Sequence, residues 1–90
     1  MDDLTGFQRD LLYVIAGANQ PSGQDVKEEI EQYYSDEINH GRLYPNLDTV
    51  VNKGLVEKGQ LDRRTNYYSI TEDGEEAFED RQVWKSQYIE

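Results

Sequence analysis

The run Asn39-His40-Gly41-Arg42-Leu43-Tyr44-Pro45-Asn46-Leu47-Asp48-Thr49-Val50-Val51-Asn52-Lys53-Gly54, with the stretch Leu55 to Ile70 that follows it, decides the fold of this 90-residue chain. Leu43, Leu47, Val50 and Val51 recur at helical spacing behind Asn39, a good N-cap, so the residues predict a helix from His40 to Lys53 with Gly54 as its C′ residue. Pro45 falls inside it, where it removes a backbone hydrogen bond and crowds the carbonyl of Gly41; a kink or a tightened first turn is expected there. After Gly54 the period changes to two. Leu55 to Leu61 and Asn66 to Ile70 read as strands joined by Asp62-Arg63-Arg64-Thr65, an antiparallel hairpin with two arginines at its tip.

Working outward, Thr5 caps a helix from Gly6 to about Ala18, with Leu4, Phe7, Leu11, Leu12 and Ile15 along one stripe, stopped by Asn19-Gln20-Pro21. Ser22 and Asp25 form a variant capping box for a second helix from Gly23 to about Tyr34, whose apolar edge of Val26, Ile30 and a tyrosine is narrow. Beyond the hairpin, Thr71 caps a last helix from Glu72 to about Tyr88, with Glu72, Asp73 and Glu75 well placed against the helix dipole. The order is helix, helix, helix, hairpin, helix. It describes a mainly α chain with a small antiparallel β-hairpin, the winged variant of helix-turn-helix. In that geometry the third helix enters the major groove of DNA and the hairpin tip touches backbone or minor groove. Residues 1–71 make up the winged helix-turn-helix unit, and 72–90 a C-terminal helix expected to serve dimerisation.

Composition sets limits. The chain carries 9 basic and 19 acidic side chains, a net charge of −10, and no cysteine. Disulfide frameworks, thiol catalysis and Cys-based metal sites are excluded. No apolar run approaches the ~18–20 residues of a membrane span, and Met1-Asp2-Asp3 is the reverse of a basic signal-peptide start, so a cytoplasmic chain without a membrane partner is expected. Leu, Ile, Val and Phe make up 20 of the 90 residues, close to the level at which a core becomes hard to build. A small core shared with a second copy, a homodimer, is therefore expected. The single histidine lacks a serine partner and no Gly-rich phosphate loop occurs. The reading is no enzyme, with no cofactor or metal. Acidic excess with only four lysines also suits a protein kept hydrated in a salt-saturated, halophilic cytoplasm.

Charge is unevenly placed. Residues 42–70 hold five basic and three acidic side chains, net +2, whereas the other 61 residues hold four basic and sixteen acidic, net −12. The positive charge falls on the third helix and the hairpin tip, the two elements that meet phosphate if DNA is the ligand.

Three blocks sharpen this: Gly41-Arg42-Leu43-Tyr44-Pro45-Asn46-Leu47, then Lys53-Gly54-Leu55-Val56, then Arg63-Arg64-Thr65-Asn66-Tyr67-Tyr68-Ser69-Ile70-Thr71 with Gly74. In order and spacing they resemble the PadR family of transcriptional regulators over about residues 5–80. The start from Leu4 to Leu12, with the acidic bias, is most similar to PadR-like proteins of halophilic archaea. The resemblance implies a repressor-like, sequence-specific binder of double-stranded DNA and places Pro45 in the family's recognition helix. It also implies dimers paired through the terminal helix, presenting two third helices to successive major grooves about 34 Å apart on a pseudo-palindrome.

The DNA-facing residues expected are Asn39, His40, Gly41, Arg42, Tyr44, Asn46, Thr49, Lys53, Arg63 and Arg64. Arg42 is the best reader of base edges, since guanidinium pairs with guanine O6 and N7, against the alternative of a solvated surface charge. Tyr44 either donates to a phosphate or packs beneath the hairpin. His40 either starts the helix at the surface or contacts phosphate. Leu4, Phe7, Leu11, Phe78, Arg81, Trp84 and Tyr88 are expected at the two-fold contact. The competing reading is a winged helix that binds a protein, or an acidic DNA mimic. It calls for negative charge on the third helix and wing, where this chain places positive charge instead.

Overall fold

The computed structural model describes residues 1–89. Four helices and one hairpin follow in order: α1 (Gly6–Gly17), α2 (Gly23–Tyr34), α3 (His40–Asn52), β1 (Val56–Gln60), β2 (Asn66–Ile70) and α4 (Glu72–Ser86). Thr5 and Ser22 each close a capping box, with Gln8 and Asp25 returning the bond to the cap backbone, so two otherwise orphaned donors are satisfied at each start. Asn39 and Thr71 cap α3 and α4 through their side chains alone. The predicted ends run one or two residues long: β1 stops short of Leu55 and Leu61, and α4 ends at Ser86 rather than Tyr88.

The third helix keeps its course through Pro45 and ends as its sequence dictates. Gly54 sits in the left-handed region at φ +78°. Its N–H donates to the Val51 carbonyl, and the N–H of Leu55 donates to that of Val50. This is the Schellman arrangement, which glycine adopts without steric cost. It turns the chain directly into β1.

The two strands pair antiparallel, Val56 opposite Ile70 and Gln60 opposite Asn66. The Tyr68 N–H also donates to the Pro21 carbonyl at 2.9 Å, so the loop between α1 and α2 holds the second strand in place. The core lies among α1, α2, α3 and the base of the hairpin. Leu11, Leu12, Ile15, Val26, Ile30, Ile38, Leu43, Leu47, Val50, Val56 and Tyr68 are all buried.

The last helix is rooted in the hairpin base. The Thr71 N–H donates to the Leu55 carbonyl, and its hydroxyl donates to the Gly54 carbonyl at 2.6 Å while accepting from the Gly74 N–H. A Cβ on Gly74 would stand 2.1 Å from the Leu55 carbonyl oxygen, an approach only glycine permits. Further along, Phe78 meets the Tyr13 ring of α1 edge-on, centroids 4.6 Å apart.

Candidate nucleic-acid interface

Helix α3 turns Leu43, Leu47 and Val50 inward, and helical geometry then assigns the remaining residues to a crest and two flanks. The crest carries Gly41, Pro45, Asp48 and Asn52, all exposed. Asp48 stands 3.9 Å from Lys58 on β1, which offsets its repulsion of phosphate. The Thr49 hydroxyl, half-buried beside the crest, donates to the Pro45 carbonyl at 3.0 Å.

The flank toward α1 is a seam of engaged polar groups. The Arg42 guanidinium lies over the Phe7 ring at 4.1 Å and reaches toward Tyr34 at 5.8 Å, while the side chain remains exposed. Asn46 accepts from Gln8 Nε2 at 2.8 Å and donates to the Arg42 carbonyl at 2.7 Å. Lys53 pairs with Asp3 at 2.7 Å, and that hydrogen bond holds the Asp3 carboxyl below its ordinary range. The seat of Arg42 is itself braced. Tyr34 donates its hydroxyl to Asp10 at 2.6 Å, and burial followed by that bond raises its pKa to about 12.

The opposite flank faces α2 and the wing. His40 meets Tyr44 edge-on at 5.4 Å, and Tyr44 packs half-buried against Gly23, whose absent side chain leaves the room: a Cβ there would stand 2.7 Å from the tyrosine oxygen. Tyr44 thus packs by its hydroxyl end against α2, and it lines a cleft together with His40, Arg64 and Thr65.

The wing tip is organised by Asp62. Its carboxylate accepts from the N–H groups of Arg64 and Thr65, both at 2.9 Å, while the Leu61 and Asp62 N–H groups donate to the Thr65 carbonyl. The Arg64 amide in particular holds the Asp62 carboxyl below its ordinary value of 3.8, so it stays charged and folded into its own turn. Arg63 and Arg64 are exposed. Among the described residues the ion pairs are Lys27–Glu31, Lys53–Asp3 and Lys58–Asp48, so both wing arginines are without a carboxylate partner.

Of the residues expected at a two-fold contact, Leu4, Phe7 and Leu11 turn out to be interior, 4%, 8% and 0% exposed. They fill this chain's own core beneath α3, and the expectation is corrected for those three. Phe78 is half-buried against Tyr13. Trp84 and Tyr88 stand exposed, their rings 5.3 Å apart, with Arg81 beside the indole and Val83 and Ile89 exposed nearby. An open groove of about 670 Å³ runs past Trp84 and Arg81 to Met1 and Arg9. Among the described residues no group of His, Asp and Glu has the geometry to hold a metal ion, and no helix is long and apolar enough to cross a membrane.

The sequence reading missed two participants, Gln8 and Phe7, as partners of α3. Gln8 was hidden by its second role in the capping box, and Phe7 by its membership of an apolar stripe.

No curated protein matches the chain. Solved structures do. RosR of H. salinarum, crystallised from NaBr, is 51% identical with a TM-score of 0.90, the match covering 97% of this chain and 79% of that one. The hsRosR–S1 complex matches at 50% identity and a TM-score of 0.92, covering 98% of this chain and 79% of that one. Streptococcus pneumoniae FabT in complex with DNA, at 18% identity and a TM-score of 0.76, covers 97% of this chain and 58% of that one and shares the fold alone. The model of the transcriptional regulator PadR-like family matches residues 11–80. With the winged helix in place and most of the chain matched, this protein belongs to the PadR-like family of transcriptional regulators, which act as regulators and not as enzymes.

Proposed function

We propose that the chain is a repressor-like regulator that works in the cytoplasm as a homodimer and binds a pseudo-palindromic double-stranded DNA site. Helix α3 enters the major groove and the wing reaches backbone or minor groove. The observation that carries this reading is the wing tip: two exposed arginines, without a carboxylate partner among the described residues, on a turn fixed by Asp62, in a chain of net charge −10. Free guanidinium groups on an acidic protein are the feature a polyanion recognises.

The proposed contacts are Asn39, His40 and Gly41 at the start of α3, Thr49 beside its crest, Tyr44 on the flank toward α2, and Arg63 and Arg64 on the wing. Arg42, Asn46 and Lys53 approach from the seam, where they meet the edge of the groove. Residues 72–90 supply the dimer contact through Arg81, Trp84 and Tyr88, with Phe78 holding the helix to α1.

A dimer of charge −20 meets DNA against a general repulsion, which 1 M salt screens to a Debye length of about 3 Å. Fluorescence anisotropy with DNA from upstream of the protein's own gene, between 0.2 and 3 M KCl, tests the reading. Selective binding with a shallow or inverted salt slope is expected. A steep fall of affinity with salt, or no selectivity at any salt, would count against it.

A further inference from the structure

A cleft of about 400 Å³ opens between the first turn of α2, the start of α3 and the wing. Three elements distant in sequence bring to it Ser22 and Gly23, His40 and Tyr44, and Arg64 and Thr65. Among the described residues no carboxylate lines it. That is unusual on a surface with 19 acidic residues: four other clefts each carry at least one, from Asp2 and Asp80 to the five acids of α4's first turns.

The donors converge. Arg64 is exposed and unpaired, at a position fixed because its own N–H is bound by Asp62. Tyr44 is seated against Gly23 so that its hydroxyl edges the cleft. Gly23 and Gln24 begin α2, where the first amides have no helical acceptor. Two carboxylates are bonded to the cleft's lining residues and both are committed to backbone: Asp25 accepts from the N–H of Ser22 at 3.0 Å, and Asp62 from the N–H groups of Arg64 and Thr65 at 2.9 Å.

We propose that this cleft seats a single phosphodiester group, a backbone phosphate lying just outside the groove that α3 enters, clamped between Arg64 on the wing and the Tyr44 hydroxyl on α3. The inference rests on the DNA-binding reading above and deepens it. The wing and α3 then grip one phosphate jointly, so the wing's position is read together with that of α3 and not as a separate arm. Arg64 supplies charge, and Tyr44, half-buried and packed against Gly23, supplies a hydroxyl donor.

The test is a scan of the operator half-site in which each phosphate in turn is replaced by a neutral methylphosphonate. Wild type is compared with Tyr44→Phe, which keeps the ring packing, and with Arg64→Gln. One position is expected to cost wild type about tenfold in affinity, equivalent to 1.4 kcal/mol, and to cost either variant less than twofold. Sensitivity that is unchanged in both variants at every position overturns the clamp. Equal thermal midpoints show that the variants are folded. A wild type that binds no duplex selectively refutes the DNA reading itself, and titration with inorganic phosphate then decides the cleft. Amide shifts at Gly23, Gln24 and Thr65 that saturate in wild type and vanish in Arg64→Gln uphold an anion site, and their absence overturns it.

Discussion

The flank of α3 and the tip of the wing both carry cationic side chains, and the two regions use them in opposite ways. On the flank, Arg42 lies over the Phe7 ring and Lys53 is paired to Asp3, while Asn46 is shared between Gln8 and the Arg42 carbonyl. On the wing, Asp62 turns one carboxylate oxygen to the backbone amides of Arg64 and Thr65, and among the described residues Arg63 and Arg64 have no carboxylate partner. The positive excess of residues 42–70 is thus divided. Part of it holds helices together, and part is presented outward. Counting charge along a sequence locates a basic region but not the groups within it that remain available.

The largest effect that this contrast predicts is on the wing. Arg63→Ala/Arg64→Ala is expected to lower selective DNA affinity by about 30- to 150-fold, as two charge-assisted contacts of roughly 1–1.5 kcal/mol each would. Its unfolding midpoint should stay where it is. Anisotropy and thermal melting of the same samples decide this. A loss of stability matching the loss of affinity would erase the distinction between the two regions.

Arg42→Ala should show the converse mixture. Removing the stack is expected to destabilise the fold by about 0.5–2 kcal/mol, measured by urea unfolding. Arg42→Lys should recover little of it, because ammonium lacks the flat face that covers Phe7. If Arg42→Ala leaves stability untouched and abolishes selectivity, Arg42 belongs with the wing arginines as a group spent wholly on DNA.

The smallest effect concerns the brace beneath Arg42. The Tyr34 hydroxyl has its pKa raised to about 12 from an ordinary value of 10.0, so its folded-state advantage is present below pH 10 and is lost as pH rises toward 12. The gap in melting temperature between wild type and Tyr34→Phe should therefore close between pH 10 and 12. A constant gap would mean that the bond to Asp10 contributes nothing that ionisation removes.

Much of this was legible in the residues, for reasons that can be named. Ser22 and Asp25 mark the start of α2, and Gly54 marks the end of α3, because capping chemistry is local and few residues satisfy it. Alternation after Gly54 yields the hairpin for the same reason. What was not legible is which surface covers an apolar stripe. Leu4, Phe7 and Leu11 are spaced to face something, and nothing local distinguishes this chain's own α3 from a second copy; the structure turns them to the core. Arg42 shows the same limit. Its chemistry suits guanine, and its resting place depends on Phe7, 35 positions earlier. The Asp62 turn was missed because a carboxylate counted as charge conceals its use as an acceptor.

The contact between Gly74 and the Leu55 carbonyl carries a consequence for the length of the operator. It welds α4 to the base of the wing, so two copies paired through α4 would form calipers whose hinge is locked at manufacture. Such calipers fit one half-site separation and cannot open to another. Operators of this regulator would then tolerate changes of base more readily than the insertion of a single base pair at their centre.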